Sequence, residues 1–131
     1  MFPPNTPLML LVLAIANLPG LAAEDSRKSH IEAAMTTALN GVDRADGIDA
    51  REAKELASAY FLSAISGCGG IWEIRGMDGV WIADSLIGRG AERGPEVTVS
   101  RDGAFVRAEG YPSVMLASGE AVVLEVEPQM P

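Results

Sequence analysis

The spacing of apolar residues changes once along the chain, from a period near 3.6 before residue 67 to a period of two after it. In the first part, Ile31, Ala34, Met35, Ala38 and Leu39 recur at i, i+3, i+4, i+7 and i+8. That spacing places them on one face of a helix. Ser29 and Glu32 have capping-box spacing and predict its start, and Asn40-Gly41 predicts its end. A second helix is predicted from Asp49, again with a glutamate three residues on, at Glu52. Its apolar stripe is Ala53, Leu56, Ala57, Tyr60, Phe61, Ala64 and Ile65, with Arg51, Glu52, Lys54 and Glu55 expected on the solvent side. Gly67 closes it.

After Gly67 the alternation is that of strands. Ile71–Arg75 is a short strand, Gly76-Met77-Asp78-Gly79 a turn, and Val80–Ile87 a longer strand. A polar stretch from Gly88 to Gly94 leads to Pro95 and is expected to be a solvated loop. Glu96–Ser100 and Ala104–Ala108 flank Arg101-Asp102-Gly103, the Asp-Gly signature of a hairpin. Val114–Ala117 and Ala121–Val126 make a last hairpin around Ser118-Gly119. Helices followed by a meander define an α+β domain: two N-terminal helices on a curved antiparallel sheet. The predicted single domain covers residues 24–127, helical over 24–66 and antiparallel sheet over 70–127.

The residues before it differ in kind. No charged residue precedes Glu24, and Leu8–Ala16 is an unbroken apolar run. The run suits the h-region of a secretory signal and is too short to span about 30 Å of hydrocarbon. Pro19-Gly20 is expected to break its helix, and cleavage after Ala22 places small residues at the two positions that require them. Cleavage after Ala23 fits less well, because Leu21 then occupies one of those positions. Residues 1–22 are thus read as a signal peptide, although no Lys or Arg precedes the run. The protein is expected to be exported, periplasmic or secreted, with no membrane attachment after processing.

The formal charge is −8. This argues against nucleic acid or an anionic membrane as partner and favours a basic protein partner. Cys68 is the only cysteine, so no internal disulfide forms. It is read first as a partly buried small apolar residue, and second as an intermolecular disulfide in a homodimer.

Most chemistry is excluded by composition. His30 is the only histidine, so zinc or copper sites with several nitrogen or sulfur ligands cannot form within one chain. Asp43, Asp46-Gly47, Asp49 and Glu52 echo a calcium loop, but Glu52 follows Gly47 by five residues where an EF-hand needs six. Helix capping explains the same letters. No Gly-x-Ser-x-Gly elbow, phosphate-binding glycine loop or dinucleotide fingerprint is present. The expectation is therefore a non-enzymatic domain without metal or cofactor.

Ile48–Ala53 opening a helix, Gly79–Ala83 with its tryptophan, and Pro95–Val99 with Asp102–Val106 form a further pattern. It resembles the helix, Trp-bearing strand and hairpin of NTF2-fold immunity proteins and PepSY-like small bacterial domains, over roughly Ile48 to Ala108. The resemblance implies an NTF2-like or cystatin-like architecture and a non-catalytic binding domain, an inhibitor or immunity-type partner of another protein, and carries over no catalytic residues. Trp81 and Phe61 are expected to be core partners. Tyr60, Trp72, Trp81, Phe105 and Tyr111 are the candidate ligand- or partner-binding residues. In the alternative reading, a small-ligand carrier, Tyr60, Trp72, Trp81 and Phe105 line a pocket between sheet and second helix. A third reading is an NTF2-like enzyme with a buried carboxylate such as Asp84.

Overall fold

The computed structural model describes residues 19–89, 92–116 and 119–124. Helix α1 spans Pro19–Leu39, and helix α2 spans Ala50–Tyr60 and continues as a π-helical turn, Phe61–Ile65. The strands are β1 (Gly69–Met77), β2 (Val80–Ile87), β3 (Glu92–Arg93), β4 (Val97–Ser100), β5 (Phe105–Arg107), β6 (Ser113–Met115) and β7 (Val122–Leu124). All pair antiparallel in the order β1-β2-β4-β5-β6-β7, with β3 beside β2. This is the α+β architecture that the change of period predicts.

Both helices serve one face of the sheet. Ala53, Leu56, Ala57, Tyr60 and Ala64 of the helical stripe are buried together with Ala83, Val97, Val99, Val106, Val114, Leu116 and Val123 of the strands. Ile31, Met35 and Leu39 of α1 join the same cluster. Residues two apart on a strand share a face. The buried valines therefore define one face of the sheet, and residues such as Ile82, Thr98, Phe105 and Met115 define the other.

Several local expectations are corrected. Ser29 and Glu32 do not start a helix; they lie inside α1, whose first described residues are Pro19-Gly20. Proline is tolerated near a helix start because first-turn N–H groups have no intrahelical partner. Ala22 and Ala23, the predicted cleavage positions, fall within α1, and the apolar run itself lies outside the described residues. Glu32 instead reaches the far end of the sheet, where Oε2 accepts a hydrogen bond from Val123 N at 2.9 Å. Thr36 Oγ1 accepts a second from Ala121 N at 3.4 Å. Two outward N–H groups at the β7 edge, those of Ala121 and Val123, are thus taken by α1.

The polar stretch after β2 is not wholly a loop. Glu92 and Arg93 pair with Ile87 and Leu86, and Gly94 N donates to Ser85 O at 2.9 Å. At the start of β1, Gly69 has φ +114°, and its Cα lies so close to the Leu86 carbonyl that a Cβ has no room. The preceding Cys68 is turned outward and exposed, not partly buried as expected.

Tyr60 fixes α2 to the loop before β6, its hydroxyl donating to Pro112 O at 2.6 Å. Burial pushes this phenol from 10 up to about 12. The charged form is thus disfavoured in the folded state, which holds its proton over a range where the unfolded chain has lost it. Stability contributed by the protonated phenol is present below pH 10 and is lost as pH rises from 10 towards 12. The expected loss over that range is on the order of 2 kcal/mol. Urea titrations at pH 9, 10, 11 and 12 check it: a Tyr60→Phe chain, which cannot titrate there, should show a flatter decline. Equal slopes for both chains count against this origin.

Candidate binding face

Two places outside the core were named by the sequence. The acidic turn between the helices forms an open cleft lined by Asp43, Asp46, Gly47, Ile48, Asp49 and Glu52. Its key carboxylates are already used. Asp49 caps α2 by accepting from Glu52 N at 2.8 Å, and Glu52 Oε1 accepts in return from Asp49 N at 3.1 Å. Glu52 Oε2 accepts from Asp43 N at 2.8 Å, and Asp43 Oδ1 from Ala45 N at 3.0 Å. Glu52 is consequently buried, not on the solvent side where its charge suggested. Among the described residues no group of three or more His, Cys, Asp or Glu side chains is arranged to hold a metal ion. Addition of calcium at millimolar concentration is therefore expected to leave the melting temperature unchanged, and a rise of several degrees contradicts the capping role.

The same turn is held from the other side by the sheet. Trp81 Nε1 donates to Ile48 O at 2.8 Å, and Ile48 N donates to Arg101 O at 2.9 Å. The Arg101 guanidinium lies 4.3 Å over the Trp81 ring, and its Nε donates to Met77 O at 3.1 Å. Arg44 Nη1 donates to Gly103 O at 3.2 Å and also to Leu116 O. Trp81 is thus half-buried and engaged at its polar edge, acting as a clamp between the helix connection and the sheet.

The aromatic candidates lie in different surroundings. Tyr60 and Phe61 are fully buried, and the space between α2 and the sheet is filled by the core side chains. Trp72 sits at a bulge in β1, where the register shifts between Ile71 and Glu73, and is 53% exposed. Tyr111 packs against the core. Phe105 belongs to the opposite face of the sheet, adjacent to buried Val106. These five residues are thus divided among the core, the bulge of β1 and the opposite face of the sheet.

Asp84 is not a desolvated acid either. It is bidentate with Arg75, Oδ2 accepting from Nε at 3.0 Å and Oδ1 from Nη2 at 3.1 Å. Arg75 Nη2 also donates to Glu96 Oε2 at 2.7 Å. The hydrogen-bonded guanidinium holds the Asp84 carboxyl below the usual carboxylate range. A general acid needs the opposite shift. These surface ion pairs are strongest above the ordinary carboxylate pKa and are lost as pH falls through the lowered one.

The structure brings together a different set of residues, on the sheet face that neither helix covers. Register places Met77 beside Val80, Val80 beside Ser100, Phe105 beside Met115, and Met115 beside Val122. Ser100 Oγ accepts from Phe105 N at 3.0 Å and joins the two halves. The result is one cross-strand row over six strands: Met77, Val80, Ser100, Phe105, Met115 and Val122. Met77 is 53% and Val122 47% exposed. The next row holds Arg75, Ile82, Thr98 and Arg107 by the same pairing, and Leu124, 47% exposed, beside Ser113. The strands of this face carry Glu73, Asp84 and Glu96 together with Arg75, Arg93 and Arg107, and exposed Glu109 follows Arg107 on the same side.

Only Phe105 of this row was a sequence candidate. The others were hidden because alternation along one strand says nothing about which face the helices cover, or which residues stand side by side. The chain was compared with protein families, with curated proteins and with solved structures, and none of them matches. No helix among the described residues is long and apolar enough to cross a membrane.

Proposed function

We propose that this chain is an exported, acidic, non-catalytic binding protein, acting as an inhibitor or immunity-type partner of other protein chains. The observation that carries the reading is the open sheet face: a row of apolar side chains, interrupted at buried Ser100 and flanked on one half by the Arg75 ion pairs with Asp84 and Glu96, on the side away from both helices. Exposed apolar patches rimmed by polar groups mark interaction sites in soluble proteins. The face holds charges of both signs, and the chain as a whole carries −8. That net negative charge would steer a basic partner at low salt. The support for export is the uncharged, apolar leader, and mass spectrometry of the protein from its host tests that part. A chain beginning at Ala23 is expected, and an intact Met1 counts against export.

Binding is tested by using the chain as bait in an extract of its own host, beside a Met115→Glu chain of unchanged circular dichroism. A specific protein held by the first and depleted about tenfold or more from the second is expected. Identical captures with both baits remove the support from the face.

A further inference from the structure

We propose that strand β1, at the edge of the sheet, pairs antiparallel with β1 of a second copy about a two-fold axis at Ile74, joining two sheets edge to edge. This edge lies apart from the open face, so pairing here and binding there can fail independently. β1 is nine residues long and stands at the end of the sheet, with only β2 beside it among the described strands. An edge strand presents unpaired N–H and C=O groups to an extended chain. Met77 pairs with Val80 across the turn Asp78-Gly79, and the pair that closes so short a turn is hydrogen-bonded. Alternation back along β1 then directs the backbone groups of Ile74 and Gly76 away from β2.

Charge selects the occupant and the register. Residues directly opposite share a face of a sheet, so the register between two β1 strands steps by two. Centred on Glu73, the pairing sets Glu73 against Glu73; centred on Arg75, it sets Arg75 against Arg75. Centred on Ile74, it sets each Glu73 opposite the partner's Arg75.

Both side chains are suited to that pairing. Glu73 is exposed, stands beside Asp84 on β2, and makes no ion pair among the described residues. Like charges directly opposite destabilise a sheet, and an arginine on the open side offsets this. Arg75 uses Nε and Nη2 on Asp84 and Glu96, while its Nη1 donates to no described residue. A guanidinium carries five N–H groups, so Nη1 is left for the partner's Glu73.

The neighbours fit the same register. Ile74, half-buried against the core, meets its own copy at the axis. Trp72, the unpaired residue of the bulge, comes opposite the partner's Gly76. Glycine brings no side chain into the space that the extra residue and its indole need. The contact is one strand wide, well below the about 800 Å² per partner of a standard interface. The dimer should therefore be reversible, with a dissociation constant in the micromolar range.

Sedimentation equilibrium of the purified protein over about 1–300 µM, in whichever form its mass shows it to exist, tests the pairing. A reductant is present throughout, because Cys68 adjoins the same edge. A concentration-dependent dimer is expected. Glu73→Arg and Arg75→Glu should each raise its dissociation constant about tenfold or more, by setting like charges against each other. An equimolar mixture of the two variants should restore the dimer, since the mixed pair sets arginines only against glutamates. A folding defect in either variant does not produce that recovery. Met115→Glu, on β6, should leave the dimer unchanged. Glu73→Arg changes an exposed side chain and decides alone if Arg75→Glu does not fold: a dimer indifferent to it overturns the inference. So does monomer at every concentration, or a mixture of folded variants no more associated than its parts. If copies do not pair but Glu73→Arg loses a foreign protein from the host extract, the edge belongs to that protein and the second copy is excluded.

Discussion

Leu56→Ala is expected to lower the free energy of unfolding by about 3–5 kcal/mol, the largest effect of any single truncation considered. Leu56 has no exposed surface and lies on the stripe of α2 that meets the buried strand valines. Its neighbours along the helix, Ala53 and Ala57, are small. Leucine therefore fills the gap between helix and sheet where the alanines cannot. Removing it opens a void bounded by backbone on one side and by β-branched side chains with restricted rotamers on the other. Such a site relaxes little, which places the cost toward the upper part of the range. A domain of this size has about 5–10 kcal/mol in total. Urea denaturation should show the midpoint falling by roughly half or more at unchanged slope. A loss below about 1.5 kcal/mol would mean that the helix–sheet contact is not the main core.

Glu52→Ala should cost about 2–4 kcal/mol, unusually large for a carboxylate near a helix start. A capping glutamate at the surface contributes about 1 kcal/mol or less. Glu52 does more because it is buried and accepts from two backbone N–H groups, Asp49 N and Asp43 N. Alanine leaves both donors without that partner, one of them in the connection that also carries Ile48 and Arg44 to the sheet. Glu52→Gln keeps one acceptor oxygen and should recover about half of the loss. The comparison separates lost hydrogen bonds from lost charge: if glutamine is as damaging as alanine, charge dominates. Neither variant should alter any response to calcium, since the loop holds no ion-binding arrangement.

Glu52 also shows where sequence reading succeeds and where it stops. The box with Asp49 was legible because it depends on residues three apart on one helix. The burial of Glu52 was not, because it depends on Asp43 N, brought in by the course of a turn. Ser29 and Glu32 show the reverse. Their spacing imitates a cap, yet the helix runs through them, and Glu32 finds its partner 91 residues away. The β2 strand and the hairpin at Asp102-Gly103 were readable from alternation and turn chemistry alone. The candidate face was readable only in fragments. Phe105, Met115 and Val122 come from three short strands, and nothing in their separate sequences tells that they stand in one row.

The treatment of the two sheet edges has a consequence for how this protein behaves when crowded. At β7 the outward N–H groups of Ala121 and Val123 are occupied by Thr36 and Glu32. At the opposite edge β1, the longest strand, pairs with β2 and with no other described strand. Among the described strands, an incoming strand thus finds one docking rail and not two. Growth by strand addition needs a free edge at each end of every unit, so that each joined molecule offers a new rail. Here two molecules joining β1 to β1 would exhaust both and stop. The side chains of a helix on one side of the fold thereby act as a chain terminator, limiting edge-to-edge assembly to pairs and denying it the route to a fibre.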